Sequence, residues 1–138
     1  MSSFSRDIQE IVGPALAALG FTLDQIDDRP DPERGGSRNI VYYRSDDCRI
    51  QIYQSSREGE INAMIAPRDA DNEFGLRADK WQYLTRFAEL PDLPFEELME
   101  SERVKYESYD SPVVWIKDRI LEYYPVAHAG IIQMYGTN

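Results

Sequence analysis

The chain has 138 residues, 42% hydrophobic and 12% aromatic, enough apolar material for a single globular domain over residues 1–138, which excludes disorder for want of a core. Acidic side chains number 25 against 15 basic ones, and the formal charge of −10 repels phosphate backbones, so nucleic acid is not expected as a direct partner and a basic protein is. The single cysteine, Cys48, can make no internal disulfide and fits a reducing, cytoplasmic setting, as in many acidic bacterial cytosolic domains.

In chain order, Ile8, Ile11, Val12, Ala15, Leu16 and Leu19 recur at three- and four-residue steps and predict a first helix that Gly20 stops in the left-handed region. Pro14 has no amide hydrogen and its ring presses on the carbonyl of Glu10, so the helix must kink there or restart with Pro14 in its first turn. The uncharged run from Ile11 to Leu23 spans 13 residues, short of the ~20 that cross a bilayer, and no membrane span is expected. With Asp7 and Glu10 beside Arg6, the start lacks the net positive charge of a signal peptide and reads as mature protein.

"FTLDQID" alternates as a strand should, and "DDRPDPERGGSR", with seven charges over residues 27–38, reads as an exposed loop. Three further strands are expected near 39–45, 48–55 and 60–66, with turns at Asp46-Asp47 and Glu58-Gly59. Cys48, Ile50 and Ile52 share one face with Ile61, Ala63 and Ile65, and that face should meet a helical layer. Arg49, Gln51, Tyr53, Asn62 and Met64 point to the other side, which reads as polar to mixed and open. Beyond Pro67, Trp81, Leu84, Phe87 and Ala88 predict a helix, and a short helix from Pro94 carries Phe95, Leu98 and Met99 on a buried side. A last helix starts at Ser111-Pro112, presents Val113, Ile116 and Ile120, and ends at Pro125. "AGIIQMYG" is too short to classify; Ile131, Ile132 and Met134 should pack, with an edge strand as one form open to them. The fold class is therefore α+β, a four-stranded antiparallel meander covered on one face by helices, in the order α-β-β-β-β-α-α-α.

Chemistry is sparse. His128 is the sole histidine, no G-x-S-x-G turn is present, and Cys48 has no flanking cations to activate it, so no catalytic residue is assigned. Structural zinc is not expected from one thiol and one imidazole. "DADNEFG" places Asp69, Asp71 and Glu73 as in a calcium loop, but Phe74 stands where glycine is required and Lys80 where the bidentate glutamate belongs. "RGGSR" lacks the lysine and glycine spacing of a phosphate cradle. No metal or cofactor is expected.

The most distinctive stretch is "ELPDLPFEELMESERVKYESYD", residues 89–110, with eight acids against Arg103 and Lys105. On a helix, Glu96, Glu97 and Glu100 occupy adjoining turns, forming with Glu102 a carboxylate surface suited to a basic protein, and Tyr106 and Tyr109 beside it are residue types that anchor interfaces. In size, charge and helix-covered sheet the chain resembles the immunity proteins of bacterial toxin systems, a likeness of general architecture that assigns no individual residue. It implies a non-enzymatic inhibitor that occludes a basic toxin or effector. A second reading, from a different class, is a small enzyme or ligand-binding domain using Arg49, Gln51, Tyr53, Asn62 and His128 on the open sheet face. A third is a self-assembling structural module, such as a homodimer, joined through the aromatic C-terminus.

Overall fold

The computed structural model describes residues 2–31, 36–55, 61–73, 79–88 and 92–136. Helix α1 (Ser3–Asp7) runs into a π-helical turn (Ile8–Val12) and then α2 (Gly13–Ala18). The wide turn sits where Pro14 withholds an amide hydrogen from Glu10, and α2 restarts with Pro14 in its first turn, which is where the ring's fixed φ fits. Gly20, at φ 94°, closes α2 in the left-handed region.

Five strands follow in sequence order as one antiparallel sheet: β1 (Thr22–Asp31), β2 (Gly36–Arg44), β3 (Cys48–Ser55), β4 (Ile61–Pro67) and β5 (Gln82–Tyr83). The α+β class stands, with a fifth, two-residue strand beyond the expected four. The expected loop over 27–38 is mostly strand, since β1 and β2 stay paired from Asp27 opposite Ile40 out to Asp31 opposite Gly36. Pro30 is compatible with this because β1 is an edge strand, where proline is tolerated. The turn at Asp46-Asp47 forms, held by the Ser45 hydroxyl, which lies 3.1 Å from the Asp47 carboxylate and accepts from the Cys48 amide at 3.3 Å. The turn assigned to Glu58-Gly59 lies outside the described residues.

One sheet face carries Cys48, Ile50, Ile52, Ile61, Ala63 and Ile65, all buried against Ile8, Val12 and Leu16 of the N-terminal helices and Ile116, Ile120 and Ile131 of the last one. The other face is not open at its centre. Trp81 lies on it, donating its indole N–H to the Asp71 carbonyl at 2.9 Å and meeting Tyr42 edge-on at 6.1 Å, in a cluster that also buries Ile40, Tyr53 and Ala66. The expected helix at Trp81–Ala88 is therefore replaced by β5 and a 3₁₀ turn (Leu84–Phe87). Trp81 and Leu84, one helical step apart, go to opposite faces of the sheet.

Helix α3 (Phe95–Glu107) and helix α4 (Pro112–Tyr135) complete the chain. Pro125 does not end α4, which continues through it for 24 residues in all and takes in the C-terminal "AGIIQMY" that the sequence alone did not classify. The proline leaves only the Leu121 carbonyl without its helical donor, at a cost of about 3 kcal/mol. Burial of Ala127 and Ile131 against the sheet beyond it offsets that cost. Among the described residues no helix is long and apolar enough to cross a membrane.

Two carboxylates tie the N-terminal helices and the edge strand into the sheet. Asp28 accepts from Ser5 Oγ at 2.6 Å and the Ser2 amide at 2.9 Å, while Asp24 accepts from Arg49 at 2.9 Å and Asn72 at 2.7 Å. At Asp24 the hydrogen bond from Asn72 leads, and with the Arg49 charge it overcomes burial and lowers the pKa. Burial works against ionisation of Asp28, but the bonds from Ser5 and Ser2 outweigh it and the pKa is again lowered. A folded-state pKa below the unfolded one stabilises fully above the ordinary value of 3.8, and that contribution is lost as pH falls through the depressed folded value. Urea unfolding is therefore expected to show stability falling below pH 3.8, and Asp28→Asn should flatten that fall. An unchanged acid limb in Asp28→Asn would show that the carboxylate contributes nothing.

Candidate partner-binding face

Helix α3 meets the core cluster through Tyr106, which is partly buried. None of its 13 residues is buried, so Phe95, Leu98 and Met99, expected to pack inward, do not: Phe95 is 74% exposed and Met99 55%, with Leu98 half-buried. Two contacts hold α3 beside α4. Tyr106 meets the Trp115 ring edge-on at 4.9 Å, and Glu102 accepts from Arg119 at 2.7 Å. Arg119 in turn lies over the Trp115 and Tyr123 rings at 5.0 and 5.2 Å, so its charge is fixed by two aromatic faces and a carboxylate. Between α3, α4 and the start of β4 runs a groove of about 650 Å³, floored by Ile61, Phe95, Met99, Tyr106 and Trp115.

The expected carboxylates divide into two sets. Glu100 is bridged by Arg103, whose Nε donates to it at 3.1 Å and whose Nη1 donates to Glu107 at 2.9 Å; the hydrogen bonds from Arg103 hold the Glu100 carboxyl below its ordinary range. Glu102 is spent on Arg119. Glu96 and Glu97 are exposed and make no ion pair among the described residues, and they sit in the first turn, next to the positive end of the helix dipole. Tyr106 belongs to the groove floor. Tyr109 instead donates to Asp118 at 2.8 Å, a bond that raises its pKa and engages its hydroxyl within the chain.

The residues of the alternative site do not converge. Gln51 is fully buried and donates to the Glu73 carbonyl at 3.0 Å, and Tyr53 is buried with its hydroxyl 3.3 Å from that of Tyr83. Arg49 is engaged by Asp24 and by the Arg68 carbonyl, and the Asn62 side chain accepts from the Ala63 amide. His128 lies on the helical side of the sheet, 2.8 Å from Asp47. Phe95, Met99, Trp115 and Arg119 are the residues that sequence reasoning did not place in a site. The only available signal was the isolation of "PFEELM" between prolines and acids.

No family model, curated protein or solved structure matches this chain. The groove has to be read from its own chemistry.

Proposed function

We propose that the chain is a protein-binding domain whose α3–α4 face receives a basic, amphipathic segment of another protein; in its narrower form the partner is a basic toxin or effector that the chain occludes in the manner of an immunity protein. The observation that carries this reading is the exposure of Phe95 and Met99 on a helix with no buried side chain, directly beside Glu96 and Glu97, which make no ion pair among the described residues. Large apolar side chains grouped at a groove mark an interaction surface, and the charge beside them selects the occupant. A second copy of this chain carries the same charge of −10, which opposes its approach. A cationic partner gains from the same carboxylates and from the overall charge of −10.

The test uses a helical peptide of alternating leucine and lysine faces and its counterpart with glutamate for lysine, read through the fluorescence of Trp115 in the groove. The lysine peptide is expected to bind and to weaken as salt rises, and the glutamate peptide to bind at least tenfold less well. Glu96→Lys with Glu97→Lys should cost the lysine peptide about tenfold and reduce its salt dependence, with circular dichroism unchanged. Glu100 is left intact because reversing it would also break its ion pair with Arg103 and set two cations side by side. Binding indifferent to salt and to both reversals would reject the reading, and concentration-dependent sedimentation without peptide would favour self-association.

A further inference from the structure

The only cysteine and the only histidine of the chain meet. Asp47 and Cys48 lie at the turn into β3, His128 on α4, and the carboxylate, thiol and imidazole donor atoms all fall within 4.8 Å of one another. His128 Nε2 is 2.8 Å from Asp47 Oδ2. The imidazole is held by two further constraints, because the Tyr124 ring stacks on it at 5.1 Å and Tyr124 is itself packed edge-on against Phe21 at 5.6 Å. Ser45 Oγ lies 3.5 Å from Cys48 Sγ. Cys48 is buried, whereas the Asp47 and His128 side chains keep about a third of their surface exposed, at 35% and 31%.

We propose that Asp47, Cys48 and His128 form a three-ligand site for a divalent transition ion, of which zinc is the best match. A tetrahedral zinc site with bonds of about 2.0–2.3 Å has ligand-to-ligand edges of roughly 3.3–3.8 Å. One donor pair lies at 2.8 Å and all three fall within 4.8 Å of one another, close to that spacing. Zinc accepts sulfur, nitrogen and oxygen together, which the harder magnesium and calcium do not. On binding, the ion takes the place of the Cys48 thiol proton, which is released to solvent, and of the Nε2 proton that His128 directs at Asp47, the neutral ring then keeping its one hydrogen on Nδ1. The fourth position falls to water or to the Ser45 hydroxyl. Use of Cys48 as a nucleophile is the competing reading. Burial opposes it by pushing the thiol up to about 11, which leaves little thiolate unless a cation replaces the proton.

The sequence alone counted one thiol and one imidazole and stopped there. What the count could not show is that the fold brings them to one carboxylate across 81 positions of chain. This site is separate from the α3–α4 groove, and its failure would leave the groove reading untouched.

Tag-free, reduced and chelator-stripped protein is titrated with cobalt(II), which reports its own coordination. One equivalent is expected to give the visible bands of four-coordinate cobalt and a near-ultraviolet thiolate-to-cobalt band, both lost when zinc is added. Cys48→Ser should remove the near-ultraviolet band, and Asp47→Ala and His128→Ala should each weaken zinc by about 100-fold or more, the loss of a direct ligand exceeding that seen for outer partners. At zinc 100 times its Kd the wild-type Tm should rise by about 8 °C, and in Asp47→Ala and His128→Ala by far less. Should Cys48→Ser fail to fold, Asp47→Ala and His128→Ala decide the matter by themselves. A folded wild-type chain without cobalt bands, or with bands and a zinc-dependent Tm that survive in both of those variants, would overturn the site and leave Asp47–His128 a plain hydrogen bond.

Discussion

Gly130→Val is expected to lower the free energy of unfolding by about 3 kcal/mol. Helix propensity alone argues the reverse for a small side chain, since glycine inside a helix costs roughly 0.5–1 kcal/mol relative to alanine. Packing decides the sign. A Cβ at position 130 would overlap the Phe87 ring, with its Cγ 2.6 Å and its Cε1 2.8 Å away, and the ring sits on a short 3₁₀ turn that packs against α4 and has few rotamers to escape into. Valine adds two methyl groups to that overlap. Phe87→Ala in the same chain removes the ring, so the double variant should lose less than the sum of the two single changes in urea unfolding. Stability equal to or above wild type in Gly130→Val would mean that α4 and the 3₁₀ turn are not in this contact. The position of α4 matters beyond stability, because the same helix carries Trp115 and Arg119 to the groove and His128 to Asp47.

The strands were legible where one face alternates. Cys48, Ile50 and Ile52, and Ile61, Ala63 and Ile65, point inward as their period of two requires, and register sets Ile50 opposite Ile65 and Ile52 opposite Ala63. The reading broke where local chemistry was overruled by partners far along the chain. Pro125 would stop an isolated helix, yet α4 gains more from Ala127 and Ile131 on the sheet than it loses at one carbonyl. Pro30 and its charged neighbours look like loop until β2 offers them a ladder. Trp81 and Leu84 have helical spacing, and nothing local reveals that a sheet separates them.

The site was half legible for a related reason. Amphipathic spacing shows that Phe95, Leu98 and Met99 share a side, but not whether anything in the chain covers it, and composition cannot foresee which carboxylates will find Arg103 and Arg119. Charge density singled out the segment that folds as α3. The fold then divided the acids into those consumed internally, Glu100 and Glu102, and those left outward, Glu96 and Glu97. The consumed ones now have a structural role, holding α3 in shape and beside α4, which is why a charge test belongs at positions 96 and 97.

Phe95→Ser with Met99→Ser is expected to weaken the lysine peptide by about 100-fold, more than the charge reversals, while changing stability by no more than about 0.5 kcal/mol. The two effects separate because the side chains are exposed in the free chain and would become buried only in a complex. Removing them forfeits apolar area that binding alone covers, at about 25 cal/mol per Å², and leaves the folded state nearly as it was. The loss should appear as faster dissociation, whereas Glu96→Lys with Glu97→Lys should mainly slow association, since rim charges steer encounter and buried anchors set lifetime. Stopped-flow mixing separates the two. A marked drop in Tm on the serine substitutions would instead mean that Phe95 and Met99 are covered within the chain itself, and peptide binding unaffected by them would leave the groove without its occupant. Trp115 and Tyr106 make the choice of anchors specific: they form the fixed wall, edge to face at 4.9 Å, against which a bound apolar side chain would pack between Phe95 and Met99.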